Sequence, residues 1–346
     1  MTTFWRFLYY RLKSSALRTV IFTVLSTAVC LLGIYMANKS ENVEFCQSGL
    51  YMLATALCII ASIVPLFELA GLKNRRNLDT LYFFPIGRQK MATVYFLSGW
   101  MQVFFIYTVT FIASLIWLIS QTDYFALIYM LPYYFLSLVL AFVIFAVFSF
   151  LFLQANTVAD GVLFCALWIF LPFLAGLSLG EVFEIDFFRN LYSWGILYTP
   201  MNNLTVVFQD LIEINNPASW DRAAGEIMDR WYVFFIWGAA GCAAVNGYMV
   251  SFIKKGAEQA GEISNSPFGY PMLVPFYGYC LMINPGAFLV SLDPIVASIV
   301  IVGYVILMLS GYLIYRRGFH FKASDIILTV IGVILPFAVM IYTNPA

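Results

Sequence analysis

The chain has 346 residues, of which 62% are hydrophobic and only 10% are charged. About a quarter of the residues of a soluble domain are charged, so the charged side chains of this chain are too few to cover a water-exposed surface. Basic and acidic residues number 18 each, and the resulting net charge of zero gives no electrostatic support for a nucleic-acid partner. The composition therefore predicts an all-α polytopic membrane protein and excludes most folds of soluble enzymes.

Apolar segments long enough to span a membrane, which takes about 20 mostly apolar residues, follow one another along the whole chain. Prolines crowd the seventh segment, which is therefore predicted either as a complete span or as a broken, re-entrant one. The predicted spans are 18–37, 49–71, 92–120, 127–154, 158–180, 231–253, 270–292, 294–315 and 324–342.

The basic residues predict which side of the membrane each loop faces. With the N-terminus in the cytoplasm, 14 of the 18 Lys and Arg residues fall in cytoplasmic segments. This is the bias that the positive-inside rule describes. We therefore expect a multi-pass protein with a cytoplasmic N-terminus.

The order of polar and apolar segments divides the chain into three parts. Residues 1–17 are predicted as an amphipathic helix on the cytoplasmic membrane surface, because apolar residues follow helical spacing between basic ones. The alternative is a continuous extension of the first span. Residues 18–253 are predicted as a six-span core, with an external loop at 181–230 whose apolar part dips back toward the outer leaflet. Residues 254–346 are predicted as a cytoplasmic linker and about three additional spans.

The loop between the second and third spans, 72–92, is longer than a simple turn requires. Asn77 or Asp79 is predicted to cap a short helix in it. Helical spacing places four apolar residues on one side of this helix, namely Leu78, Leu81, Tyr82 and Ile86. A short helix with an apolar face fits a groove in another protein. The alternative is an anchor that binds phospholipid through the basic residues Lys73, Arg75, Arg76, Arg88 and Lys90.

The sequence LDTLYFFPIGRQKMATVYFLSGW at 78–100 resembles the first cytoplasmic loop of type-2 ABC exporter permeases of Gram-positive bacteria. That family shows an acidic residue, a Leu or Tyr pair and then an LPISR-like element followed by Lys. The positions that match are Asp79, Leu81, Tyr82, Pro85, Ile86, Arg88 and Lys90, whereas Phe84 and Gly87 replace the usual Leu and Ser. The segments KKGAEQAGE (254–262) and RRGFHFKASD (316–325) are similar to further basic elements of the family.

The resemblance implies a permease subunit of an exporter of the bacterial cytoplasmic membrane. Its coupling helix would sit in a cleft of an ABC ATP-binding subunit, with an interface formed by Leu78, Asp79, Leu81, Tyr82, Pro85, Ile86 and Arg88. No GxxxxGK[ST] motif occurs in the sequence, so ATP and Mg are expected on the partner ATPase and no cofactor on this chain. A second permease chain, identical or sibling, is expected to complete the path. The expected cargo is amphipathic: a peptide, an antibiotic or a lipid-like molecule.

Two further features of the spans are candidates for function. Glu68 lies near the cytoplasmic end of the second span, and we expect it to pair with lipid headgroups or with Lys73. The alternative is a role for Glu68 in coupling or in binding substrate. In the sixth span, a run of small residues predicts close helix packing at Gly238, Gly241 and Gly247. That contact is predicted within one subunit, with a dimer seam as the alternative.

Residue patterns for catalysis are missing from the sequence. His320 is the only histidine, and no HExxH or GxSxG motif occurs. The six cysteines form no CxxC pair, so we expect neither a metal site nor an enzyme. Two other functions remain open. One is a transporter that is not driven by ATP, which requires ionisable groups near the middle of the membrane and inverted repeats. The other is an antibiotic-sensing or immunity membrane protein.

Overall fold

In the computed structural model every regular element is a helix, within the residues that the structure describes. These are 3–39, 45–82, 86–121, 127–183, 199–214, 225, 231–262, 264, 266–289, 294–316, 318–319 and 321–343. The helices in chain order are α1 (Thr3–Lys39), α2 (Phe45–Ala70), α3 (Arg75–Tyr82), α4 (Arg88–Gln121), α5 (Leu127–Gln154), α6 (Val158–Phe183), α7 (Thr199–Ile214), α8 (Trp231–Lys254), α9 (Tyr270–Leu289), α10 (Pro294–Arg316) and α11 (Ala323–Thr343). Short 3₁₀ turns occupy Gly71–Lys73 and Ala257–Gln259.

Five of the described helices are long and apolar enough to cross a membrane. They are Thr3–Met36, Gly49–Lys73, Arg88–Ser120, Met130–Gln154 and Phe234–Lys254. Shorter apolar stretches follow at Val158–Leu171, Ser298–Leu313 and Ala323–Ile334. The chain therefore has the features of a multi-pass helical membrane protein. The six-helix core and the three additional C-terminal spans stay predictions.

Large apolar side chains on the outer faces of these helices are exposed. Leu17 is 74% exposed, Val29 of the same helix is 60% exposed, and Val139 of α5 is 63% exposed. In water such faces would be sites of aggregation, whereas lipid chains cover them without cost. Exposure on this scale agrees with the membrane class that the composition predicts.

The first of two compact units comprises Met1–Leu153 and Tyr198–Ala260. In it α1, α2 and α4 pack against one another, α7 packs on α2, and α8 packs on α4. Between α4, α5 and α8 the core is aromatic: the ring of Phe96 lies 5.1 Å from that of Phe145 and 5.3 Å from that of Tyr248. These distances are in the range that edge-to-face aromatic pairs prefer.

The second unit comprises Gln154–Leu197 and Gly261–Ala346. Its central helix is α9, which packs against α6, α10 and α11. Asp160, in the first turn of α6, accepts hydrogen bonds of 2.8 Å from the hydroxyls of Ser264 and Tyr270. Arg316 of α10 forms an ion pair of 2.6 Å with Asp325 of α11. Polar contacts thus hold the ends of α6, α10 and α11 inside this unit.

Four observations bear on the organisation predicted from the sequence. Residues 3–39 form one uninterrupted helix, which is the alternative of a continuous first span rather than a separate surface helix. The proline-rich seventh segment forms a single helix of 20 residues, α9, long enough for about 30 Å of rise. In the described part of the loop 181–230, α7 packs on α2, and its residues Met201 and Leu204 are buried. The helix α6, which the sequence assigned to the six-span core, packs instead with the C-terminal helices.

Candidate functional site

The loop between α2 and α4 forms a 3₁₀ turn followed by the short helix α3. Asn74 caps α3, because its side-chain oxygen accepts the backbone N–H of Arg76 at 3.0 Å. Its backbone carbonyl accepts the N–H groups of Asn77 and Leu78 at 3.1 Å. These bonds satisfy N–H groups that have no partner inside the helix. The predicted cap at Asn77 or Asp79 is therefore wrong, since the helix begins earlier in the chain.

The residues of the predicted ATPase interface differ in how far they are exposed and in whether the structure describes them. Leu78 is only 5% exposed and is buried by its own chain, so its side chain is not offered to a partner. Ile86 is half-buried and lies after the end of α3. The remaining predicted residues are Asp79, Leu81 and Tyr82, which lie on α3 but whose side chains are outside the described part, and Pro85, which is outside it entirely.

The arginines of this loop bind backbone carbonyls of the segment that follows α8. Arg75 donates to the carbonyl of Ala260 at 2.8 Å and to that of Glu258 at 2.9 Å. Arg88, a predicted interface residue, donates to the carbonyl of Ile253 at 3.1 Å. Since Ile253 belongs to the last turn of α8, this bond satisfies a carbonyl that the helix leaves without an internal partner. The placement of Arg75 in a lipid-binding anchor is thus corrected: its guanidinium fixes α3 to 258–260.

Two lysines bind the carboxyl end of α5 in the same way. Lys73 is buried, and its ammonium donates to the carbonyl of Phe152 at 2.7 Å. Lys255 donates to the carbonyl of Leu153 at 2.7 Å. Cations at a helix C-terminus are favoured by the helix dipole. Burial lowers the pKa of Lys255 to about 8 because it disfavours the charged ammonium.

These four basic residues, Lys73, Arg75, Arg88 and Lys255, are here named the carbonyl-binding set. Lys73, Arg75 and Arg88 attach the 3₁₀ turn, α3 and the start of α4 to the end of α5, to residues 258–260 and to the end of α8. Lys255 attaches the segment after α8 to the end of α5. The sequence predicted the position of the loop and its basic character. It did not predict that these cations bind inside the protein, because the carbonyls involved lie about 80 to 185 residues away.

A second polar site surrounds Glu68 in α2, whose side chain is 1% exposed. Arg11 of α1 forms an ion pair of 2.6 Å with one carboxylate oxygen, and Arg18 pairs with the other. From α4, the Ser98 hydroxyl donates at 2.6 Å and the Gln102 amide donates at 3.1 Å. Both oxygens of this buried carboxylate are therefore occupied by charged or polar donors, as a buried charge requires.

The network, here named the Glu68 cluster, is closed by contacts among its own members. Arg18 also donates to the side-chain oxygen of Gln102 at 2.9 Å. The guanidinium of Arg11 lies 4.1 Å from the ring centre of Tyr95, in a cation–π arrangement. The cluster therefore joins α1, α2 and α4 by charge as well as by packing.

The predicted partners of Glu68 require correction. Lys73 binds the end of α5, and the carboxylate is satisfied by Arg11 and Arg18 rather than by headgroups. A signal for this was present in the sequence, because Arg11 and Arg18 are seven residues apart and so lie on one face of α1. Ser98 and Gln102, four apart, likewise share a face of α4.

The small residues of α8 differ in their surroundings. A Cβ added at Gly241 would lie 2.9 Å from Val143 of α5, and one added at Gly247 would lie 2.7 Å from Phe150 of the same helix. Gly238 is exposed, and nothing in the described structure lies within 4 Å of a Cβ placed there. The close helix contact therefore lies between α8 and α5 of the same subunit, and Gly238 is not part of it.

Comparison with protein-family models, with curated proteins and with solved structures found no match for this chain. The resemblance of 78–100 to exporter permeases thus depends on the residues themselves. Within the described residues, no group of three or more His, Cys, Asp and Glu side chains is placed to hold a metal ion.

Proposed function

We propose that this chain is the membrane-spanning permease subunit of an ATP-driven exporter, with α3 as the element that a separate ATP-binding subunit moves. The observation that carries the proposal is the attachment of the α3 loop to other helix ends through the carbonyl-binding set. These bonds give the loop fixed connections to other helices, which a loop that transmits force requires.

The attachments define a route for movement. A partner that displaces α3 pulls on Arg75, which is bonded to the carbonyls of residues 258 and 260 beyond α8. Lys73, two residues before Arg75 and so at the same end of α3, is bonded to the end of α5. Rigid helices joined by hydrogen bonds carry such a displacement into the membrane. In the proposed cycle, the partner subunit closes when it binds ATP and Mg. The helix α3 moves with the partner, and the spans then rearrange.

The state of Glu68 favours this proposal over a transporter that is not driven by ATP. Such a transporter requires an embedded ionisable group that exchanges a proton or an ion. The carboxylate of Glu68 is held by two guanidiniums and two neutral donors, which stabilise its charged form. A sensing or immunity protein, the other function left open, would not require a partner subunit that moves α3.

The remaining parts of the proposal follow the resemblance of 78–100. They are a second permease chain, a location in the bacterial cytoplasmic membrane with the N-terminus inside, and an amphipathic cargo such as a peptide, an antibiotic or a lipid-like molecule. The apolar composition supports the class of cargo, because such molecules partition into the bilayer from which the spans would take them.

The test is co-purification from the native membrane of an ATP-binding subunit with the tagged full-length chain. Tyr82→Ala is the informative change, since truncating an aromatic interface anchor costs about 2 kcal/mol, which is roughly a 30-fold loss of affinity. Lys90→Gln is the matched control in the same loop, because this exposed cation contributes weakly wherever it lies.

Loss of the ATP-binding subunit and of ATPase activity with Tyr82→Ala, but not with Lys90→Gln, would support the proposal. If the unchanged chain retains no nucleotide-binding protein in mild detergent, or if Tyr82→Ala retains it with full activity, α3 is not a coupling helix.

A further inference from the structure

An apolar groove of about 230 Å³ runs between α1 and α2. Its wall on α1 includes Phe22, Leu25 and Val29, and its wall on α2 includes Ile59 and Ile63. The one polar side chain in the lining is Ser26, whose hydroxyl already accepts a hydrogen bond of 3.0 Å from Thr110. The groove therefore offers nothing to a polar ligand and suits a hydrocarbon chain.

The groove leads to the Glu68 cluster along both helices. On α1, Arg11, Arg18 and Leu25 are spaced by seven residues and form one stripe. On α2, Val64 of the groove and Glu68 are four apart and share a face. Two turns of helix separate Arg18 from Leu25, a rise of about 10 Å. An elongated molecule can thus touch the arginines and the groove together.

The cluster carries more positive than negative charge. Two guanidiniums face one carboxylate, which leaves an excess of one positive charge. In the described structure the Nη1 group of each arginine makes no hydrogen bond, and the buried Nε of Arg18 has no partner. The side chains of Arg11 and Arg18 remain 20% and 26% exposed. Besides the bonds to Glu68, the outer N–H groups of these two arginines can therefore donate to a further anionic oxygen.

From these observations we infer that the groove is a binding site for an anionic phospholipid. One acyl chain occupies the space between α1 and α2, and the phosphate accepts hydrogen bonds from the outer N–H groups of Arg11 and Arg18. A second copy that packs its own α1 on this face fits less well, because α1 contains no Asp or Glu to balance the arginines. Inorganic phosphate would satisfy the arginines but would leave the groove empty.

The test uses the full-length chain purified in mild detergent. Phosphatidylglycerol and phosphatidylcholine with identical acyl chains are the probes, and native mass spectrometry counts the lipids retained. We expect roughly tenfold tighter retention of phosphatidylglycerol, because the choline cation of phosphatidylcholine offsets the charge of its phosphate beside the two guanidiniums, whereas glycerol does not. Inorganic phosphate in excess should not displace it, since the acyl chain also contributes to binding.

Two pairs of variants separate the groove from the headgroup contact. Leu25→Trp fills the groove and should abolish retention of phosphatidylglycerol, whereas Val20→Trp, at a similarly exposed position on another side of α1, should not. Arg18→Gln should remove the preference for the anionic lipid, and Lys13→Gln, an exposed cation on the opposite side of α1, should keep it. Because Leu25 is 55% exposed, its replacement should leave the Glu68 cluster and the fold intact, which an unchanged midpoint of thermal unfolding would verify.

Three outcomes would overturn the inference. Equal retention of the two lipids would exclude a site that selects an anionic headgroup, and unchanged retention with Leu25→Trp would exclude the groove. A lipid-free dimer that dissociates with Leu25→Trp would identify a second copy of the chain as the occupant.

Discussion

The ion pairs of the Glu68 cluster lead to a specific prediction about the free energy of unfolding. Glu68→Gln keeps the volume of the side chain but removes its charge, and so leaves Arg11 and Arg18 facing each other without a counterion. Removing one member of a buried ion pair costs 3–5 kcal/mol in typical cases. Both arginines are partly exposed, and water can solvate them in the variant. We therefore expect the lower end of that range, about 3 kcal/mol.

The measurement is the apparent midpoint of thermal unfolding of the purified chain in detergent. At about 2 °C per kcal/mol for a large domain, the midpoint should fall by roughly 6 °C. Glu258→Gln is the matched control, because it makes the same chemical change at an exposed carboxylate after α8. Its midpoint should stay close to that of the unchanged chain.

Thermal midpoints measured at high salt distinguish a loss of buried ion pairs from a loss of surface charge interactions. At high ionic strength exposed charges are screened, whereas buried pairs are screened much less, so the deficit of Glu68→Gln should persist in about 0.5 M salt. A midpoint indistinguishable from that of Glu258→Gln would refute the reasoning. It would mean that Arg11 and Arg18 are solvated independently of Glu68 and that the cluster does not join α1, α2 and α4.

Three further predictions use other parts of the chain. Gly241→Leu should destabilise the protein by about 1–3 kcal/mol through overpacking against α5, whereas Gly238→Leu should have little effect on the thermal midpoint, since nothing described lies near it. Burial lowers the pKa of Lys255 from 10.5 to about 8. Between these two pH values the folded state binds fewer protons than the unfolded state, so the free energy of unfolding should rise with pH. Lys255→Met should flatten this rise in thermal midpoints measured from pH 8 to pH 10, and an unchanged slope would contradict the assignment. Cysteines introduced at Asn77 and Ser219, in a background without the native cysteines, should react oppositely with an impermeant reagent on intact cells, and labelling of Asn77 alone would reverse the proposed orientation.

The membrane class and the helices could be predicted from the sequence because they depend on composition and on segment length. The predicted spans 49–71 and 231–253 differ by only a few residues from α2 and α8. The cap of α3 could not be chosen in the same way. Asn74, Asn77 and Asp79 are all residues that favour helix N-termini, and only the 3₁₀ turn that ends at Lys73 selects the first of them.

The candidate sites were harder to predict, since their partners are distant in sequence. Glu68 was recognised as an unusual embedded acid, but its partners on α1 lie 50 and 57 residues away. Arg75 was placed at the membrane surface in the alternative interpretation of the loop, because exposed loop cations often bind lipid there. Its actual acceptors are carbonyls at 258 and 260, which the tertiary fold brings to α3. No pattern along the chain specifies such an approach.

The two polar sites together suggest how unit 1 can move. The Glu68 cluster joins α1, α2 and α4, and the close contacts at Gly241 and Gly247 join α8 to α5. Between these two groups the interface contains aromatic pairs, as at Phe96 and Tyr248, together with hydrogen bonds such as Tyr107–Ser137, and no ion pair within the described residues. Breaking a buried ion pair costs more than breaking a neutral hydrogen bond or an aromatic contact. If α3 is the coupling helix, we therefore expect a pull on α3 to shift α5 and α8 at this interface, with the bond from Arg88 to Ile253 opening, while the Glu68 cluster stays closed.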